Sequence, residues 1–245
     1  MSEPSPSFLS TKEIPPEERL IFALDVPEVA EARRLVESLR EAVQFYKVGL
    51  ELFMTGEAFA LVDWLHGRGA KVFADFKLFD VPETVAAAVR RLARRGIALT
   101  TVHGNDGMLE AACREKGEEL KVLAVTALTS LDRGDLEDLG FAVEVEELVL
   151  SRARRALELG CDGVVSSGLE ARRLREGLGK KLLIVVPGIR PVENRSVDDQ
   201  KRVVSVEEAF LSGADYIVVG RPIRKAADPY QAAKEIQGTI QGLFL

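Results

Sequence analysis

Lys71-Val72-Phe73-Ala74-Asp75-Phe76-Lys77-Leu78-Phe79-Asp80-Val81-Pro82-Glu83-Thr84 is the stretch from which the rest of the chain can be read. Lys71 to Lys77 is a short run rich in apolar and aromatic residues, the pattern of a strand. Pro82 then opens a helix, because its fixed φ and missing N–H are tolerated in a first turn. A strand's period of two turns Asp75 and Lys77 to one face and Val72, Ala74 and Phe76 to the other. A carboxylate and an ammonium therefore share one wall, while the apolar residues are free to pack against helices.

The same strand-then-helix unit recurs in both directions. Short apolar or β-branched runs lie at Leu20 to Val26, Phe45 to Leu50, Ala98 to His103, Leu120 to Leu128, Gly163 to Ser166, Leu182 to Pro187 and Tyr216 to Val219. Between them sit segments with apolar residues at three-to-four spacing, such as Val29, Leu35 and Leu39, then Thr84 to Arg95, then Val145 to Leu159. Gly69, Gly96, Gly117, Gly160 and Gly213 each follow such a segment, where a helix ends and the chain reverses. About eight strands in strict alternation with helices predict an α/β fold, a single-domain (β/α)8 TIM barrel over residues 17–245. Residues 1–16, rich in Ser, Pro and Glu, read as a flexible N-terminal arm. The longest irregular segment, Pro187 to about Val203, follows the seventh strand, a common place for phosphate capture in barrels.

Composition narrows the function. The chain has 245 residues, is 47% hydrophobic and 29% charged, and carries a net charge of −6. That balance predicts a globular protein with no broad nucleic-acid surface, which would need clustered excess Lys and Arg. Arg90, Arg91, Arg94 and Arg95 read as a solvated helix face. No apolar run reaches the length of a membrane span and no signal-peptide core is visible, so the expected location is the cytoplasm. Cys113 and Cys161 belong to no CxxC pair or ligand cluster, and are expected as small packed hydrophobes with no metal bound.

In a barrel, chemistry gathers at the C-terminal ends of the strands. Asp25, Lys47, Asp75, Lys77, His103, Thr129, Ser130, Arg190 and Arg221 all fall there. Asp75 to Thr84 also matches the DxKxxD[IV]PxT signature, and by it the chain resembles the orotidine 5′-phosphate decarboxylases. The resemblance extends to ALDVP at Ala23 to Pro27, YKVGLELF at Tyr46 to Phe53, LTS at Leu128 to Ser130, PGIRP at Pro187 to Pro191, DDQKR at Asp198 to Arg202 and VVGRPI at Val218 to Ile223. It departs at the fourth strand, where the family's NVHA stretch is replaced by Thr101-Val102-His103-Gly104-Asn105-Asp106-Gly107.

The resemblance implies roles position by position. Asp25 would bind ribose hydroxyls, and Lys47, Asp75, Lys77 and Asp80 would form the charged catalytic network. Asp80 would reach the neighbouring subunit's site and Thr84 would contact ribose there, so the partner would be a second copy in a homodimer. Ser130 would bond the pyrimidine, with Thr129 beside it and Pro187 shaping the base pocket. Arg190, Gln200, Gly220 and Arg221 would surround the phosphate; a guanidinium suits bidentate contact with phosphate oxygens, and a glycine lets the backbone approach closely. His103 reads as a structural histidine.

The implied reaction is decarboxylation of orotidine 5′-phosphate to uridine 5′-phosphate, the last step of de novo UMP biosynthesis, with no cofactor. Lys77, held as an ammonium by Asp75 and Asp80, would stabilise the C6 carbanion and protonate it. The alternatives are a magnesium-dependent phosphosugar enzyme of the same broader superfamily and a non-catalytic nucleotide sensor. The first carries DxKxxD but usually places Glu where this chain has Lys47, and lacks PxT. Retention of the whole charged set counts against the second.

Overall fold

The computed structural model describes residues 8–103, 105–128, 131–190 and 204–245. Eight parallel strands form a closed barrel in sequence order. They are β1 (Leu20–Ala23), β2 (Phe45–Gly49), β3 (Lys71–Leu78), β4 (Leu99–His103), β5 (Lys121–Val125), β6 (Gly163–Val165), β7 (Leu183–Val186) and β8 (Tyr216–Val219). Closure is made by β1 on β8, with Ile21 opposite Val218.

Helices surround the sheet: α1 (Val29–Leu39), α2 (Leu50–Phe53), α3 (Ala58–His66), α4 (Pro82–Arg94), α5 (Asp106–Glu115), α6 (Arg133–Asp138), α7 (Val145–Glu158), α8 (Gly168–Leu178), α9 (Val206–Leu211), α10 (Arg221–Arg224) and α11 (Pro229–Phe244). In α4, Pro82 sits in the first turn with Glu83, Arg91 and Arg94 occupy the last turn, and Val85, Val89 and Leu92 are buried. That charge order complements the helix dipole, and the apolar spacing gives one buried stripe. Gly96 (φ 68°) and Gly160 (φ 83°) turn the chain out of α4 and α7 in the left-handed region.

Two apolar layers follow from strand alternation. Residues pointing into the barrel, Ile21, Ala23, Phe45, Phe73, Leu99, Leu123, Val185 and Val218, form an inner plug. Their neighbours Leu20, Phe22, Tyr46, Val72, Ala74 and Phe76 point outward into the larger layer beneath the helices. The barrel is therefore a filled core, and polar side chains find room only above the plug, at the C-terminal ends of the strands.

The opposite end is closed by a buried charge cluster. Asp215 is fully buried and pairs with Arg175 at 2.6 Å and Lys12 at 3.1 Å. Ser10 donates a hydrogen bond to the same carboxylate, and the Phe8 amide donates to Leu211 O at 3.1 Å. From Phe8 onward the stretch expected as a loose arm is thus docked under the barrel. Its Ser10 and Lys12 side chains supply donors that a composition argument does not place, and Thr11 accepts from Lys180 at 3.3 Å. The surface reading of the Arg run holds: Arg90, Arg91, Arg94 and Arg95 are exposed, with Arg90 on Glu115 and Arg95 on Asp63. No described helix is long and apolar enough to cross a membrane.

Candidate active site

Above the inner plug, β1, β2 and β3 bring four charged groups into one line. Lys47 follows the inward residue Phe45 by two positions on β2, and Asp75 follows Phe73 by two on β3, so both rise from the plug. Asp25 lies just beyond the end of β1. Lys47 Nζ is 2.8 Å from Asp25 Oδ1 and 3.4 Å from Asp75 Oδ2, and Lys77 Nζ is 2.9 Å from Asp75 Oδ1. Charges alternate along the line, and exposure falls towards its middle: the side chains of Lys47 and Asp75 are 11% and 13% exposed, against 54% for Asp25 and 36% for Lys77.

The alternation fixes ionisation. Burial alone would lower the Lys47 ammonium, but Asp75 and Asp25 outweigh it and hold that group above its ordinary range. Burial likewise pushes the Asp75 carboxyl up, and Lys47, Lys77 and the hydroxyl of Thr101 reverse this and hold it below the usual carboxylate range. The His103 imidazole is held low by burial and by the nearby Arg152 and Lys77. Its ring meets the edge of Phe79 at 5.6 Å.

β3 is not regular where it carries this chemistry. Ala74 pairs with Thr100 and Leu78 with Val102, so the stretch between Ala74 and Leu78 is longer than its partner on β4. Lys77 takes up the slack with φ 47°, an uncommon backbone state for a residue with a Cβ. The sequence predicts a plain strand here. The irregularity is invisible to a period-of-two reading because Leu78 resumes the pairing.

The line of charges forms one wall of a cavity of about 250 Å³. Pro187, Gly188 and Arg190 after β7, and Gly220, Arg221 and Arg224 at and after the end of β8, form another. Phe73, Val125, Ala127, Leu128, Val165 and Val218 supply the apolar surface. Five cationic side chains therefore face two carboxylates in a protein of net negative charge. A Cβ on Gly220 would lie 3.4 Å from the Ala23 Cβ and 3.8 Å from Asp25 Oδ2, ordinary van der Waals distances, so the end of β8 stands beside the end of β1 and Asp25. The Arg224 guanidinium donates to the carbonyl of Asp25 and ties the two sides of the cavity together.

Of the residues singled out from sequence, Asp25, Lys47, Asp75, Lys77, Pro187, Arg190, Gly220 and Arg221 line this cavity. Asp80 and Thr84 do not: both are exposed on the rim, where Asp80 Oδ1 accepts the Val81 N–H at 2.7 Å. Thr129, Ser130 and Gln200 lie outside the described residues. Two residues were missed. Arg224 is one helical turn from Arg221, a spacing that could have drawn attention to it. Thr101, fully buried beneath the cavity, gave only the departure from the NVHA pattern as a signal.

Comparison with known proteins shows the family. The model of the "Orotidine 5'-phosphate decarboxylase / HUMPS family" matches residues 18–236. The chain belongs to this family. An orotidine 5′-phosphate decarboxylase of Methylococcus capsulatus is 65% identical over 239 residues, covering 98% of both chains. One from Xanthomonas oryzae pv. oryzae is 50% identical over 91% of this chain and 92% of its own. Among solved structures, the orotidine 5′-phosphate decarboxylase of Lactobacillus acidophilus superposes with a TM-score of 0.80 at 35% identity, covering 91% of this chain and 99% of that one. That of Pyrococcus horikoshii superposes with a TM-score of 0.72 at 26% identity, covering 91% and 99%. Family membership accounts for the barrel, and Asp75 and Lys77 of the signature stretch line the cavity.

Proposed function

We propose that this chain is a carboxy-lyase that converts orotidine 5′-phosphate to uridine 5′-phosphate and carbon dioxide, the closing step of UMP biosynthesis, in the cytoplasm and without metal or cofactor. The observation that carries the reading is the Lys77–Asp75–Lys47–Asp25 line beside a cavity in which cations outnumber carboxylates. The substrate bears a phosphate and a carboxylate, so a positively biased cavity matches its charge. Arg190 and Arg221 take the phosphate together with Gln200 and the Gly220 backbone, Asp25 takes ribose hydroxyls, and Pro187, Thr129 and Ser130 hold the pyrimidine.

In the chemical step the C6–carboxylate bond breaks, carbon dioxide departs neutral, and the electron pair stays on C6 in an in-plane orbital. The Lys77 ammonium lies where that pair develops and transfers a proton to C6. Asp75, pinned by Lys47 and Lys77, faces the departing carboxylate, and their repulsion ends as carbon dioxide leaves. Asp80 and Thr84, exposed on the rim, complete the site of a second chain in a homodimer. Their outward placement supports that reading, and sedimentation tests it, since a fully active monomer overturns the shared site.

The direct test is loss of orotidine 5′-phosphate absorbance with purified protein, with and without excess EDTA. EDTA-insensitive formation of uridine 5′-phosphate is expected. Activity abolished by EDTA and restored by magnesium would move the chain to the metal-dependent branch of the superfamily, and no conversion by folded protein would leave only a nucleotide-binding role.

A further inference from the structure

We infer that Thr101 is a positioning residue for Lys77, its hydroxyl fixing both the backbone and the ammonium of that lysine through a closed ring of hydrogen bonds. The inference rests on the reading of Lys77 and Asp75 given above and goes beyond it to a residue that the signature stretch does not contain.

The ring can be followed atom by atom. The Lys77 backbone N–H donates to Thr101 Oγ1 at 2.9 Å. The Thr101 hydroxyl donates in turn to Asp75 Oδ1, also at 2.9 Å. Asp75 Oδ1 then accepts the Lys77 ammonium at 2.9 Å, which returns the ring to the residue where it began. A hydroxyl has one proton to give and lone pairs to accept with, so each contact uses a different capacity of the same atom.

The fold explains why a side chain is needed here. Between Ala74 and Leu78 the ladder from β3 to β4 is interrupted, and Lys77 is left with φ 47°. An amide at such a break must find a partner or carry the cost of an unmade hydrogen bond in a buried place. Thr101 points into the barrel opposite the break and is fully buried, so no solvent competes for its hydroxyl. The neighbouring Thr100 serves the other side, donating to the Ala74 carbonyl at 3.0 Å. Of the two threonines, only Thr101 touches the charged line.

A valine at position 101 keeps the shape and removes both bonds. The Lys77 amide then loses its acceptor, the backbone can relax away from φ 47°, and Asp75 loses a donor. The ammonium moves relative to a substrate whose phosphate and ribose contacts are untouched. Misplacement by about 1 Å can cost on the order of a hundredfold in rate. Thr101→Val should therefore lower kcat by roughly 30- to 100-fold, leave KM within about threefold of the wild type, and move the acid limb of the rate profile to higher pH as the Asp75 carboxyl loses a stabilising donor. Thr101→Ser, which keeps the hydroxyl, should recover most of the rate.

The experiment measures kcat, KM, the pH–rate profile and the melting temperature of wild type, Thr101→Val, Thr101→Ser and Lys77→Ala with orotidine 5′-phosphate. A kcat loss in Thr101→Val with conserved KM, a shifted acid limb and rescue by serine supports the inference. Unchanged kcat in a folded Thr101→Val protein, or a loss that serine does not rescue, overturns it while Lys77→Ala remains inactive. If Lys77→Ala is itself active, the underlying reading of the site fails instead, and the two failures are distinguished by that one variant.

Discussion

Asp75 is the residue on which the charged line turns, because among the described residues it alone contacts both ammonium groups. Replacing it with Asn leaves Lys47 with Asp25 as its one remaining carboxylate among the described residues and removes the negative charge that the Lys77 ammonium pairs with. Removing one partner of a buried pair costs about 3–5 kcal/mol, which partial exposure of Lys77 reduces to roughly 2–3 kcal/mol. For a chain of this size that is roughly 4–12 °C in Tm. The sign with pH follows from the directions of the shifts. The Asp75 carboxyl is held low, so its contribution is complete above the ordinary carboxylate value of about 3.9 and is lost as pH falls through its depressed value. The Lys47 ammonium is held high, so its contribution is complete below about 10.4 and is lost as pH rises through its raised value. The Tm gap between wild type and Asp75→Asn should be widest across the neutral range and close on acidification below about pH 4. A gap that persists unchanged at low pH would show that charge is not its source. At this scale the sequence was informative where chemistry follows chain order, as in Asp75 and Lys77. For Thr101 it gave only the departure from the NVHA stretch, because the part of that residue depends on a break in the β3–β4 ladder that no local pattern announces.

Elements carry the second level of control, and the stem after β7 shows it. Ile189 bridges Val204, and the Arg190 amide donates to the Val204 carbonyl at 3.0 Å, so Val204 sets where the Arg190 backbone lies. Val204 in turn packs on Gly168, the first residue of α8, where an added Cβ would come within 2.3 Å of a Val204 methyl carbon. Gly168→Val should therefore displace the stem and with it Arg190, weakening the phosphate capture proposed for that arginine. The expected result is a rise in KM for orotidine 5′-phosphate of about tenfold, the loss of roughly one good contact, with a smaller change in kcat. Equal KM for the two proteins would show that the stem does not govern the arginine. Strands and helices were legible because burial on both faces makes parallel strands continuous apolar runs, while the surrounding helices keep one stripe. Packing between α8 and Val204 was not, since it joins positions far apart in the chain. The contact of Cys113 with Cys161 Sγ to Sγ at 3.4 Å is of the same kind, across 48 positions.

At the scale of the whole molecule, the closed barrel separates stability from chemistry. The inner plug and the Asp215 cluster close one end, and the charged line and the arginines occupy the other. A net charge of −6 with a cation-lined cavity focuses an anionic substrate on one opening. The fold class was readable from alternation alone, and the strand ends named most of the charged residues that line the cavity. Residues 8–16 were misread because their docking depends on Asp215, which lies at the far end of the chain. The most direct measurement of the account is turnover of orotidine 5′-phosphate by Lys77→Ala alongside its affinity for uridine 5′-phosphate. Loss of turnover by at least about 10⁴-fold, with product binding and melting temperature near those of the wild type, is the predicted result. Turnover within about tenfold of wild type in that folded variant would contradict the assignment of Lys77 as the group that stabilises and protonates C6.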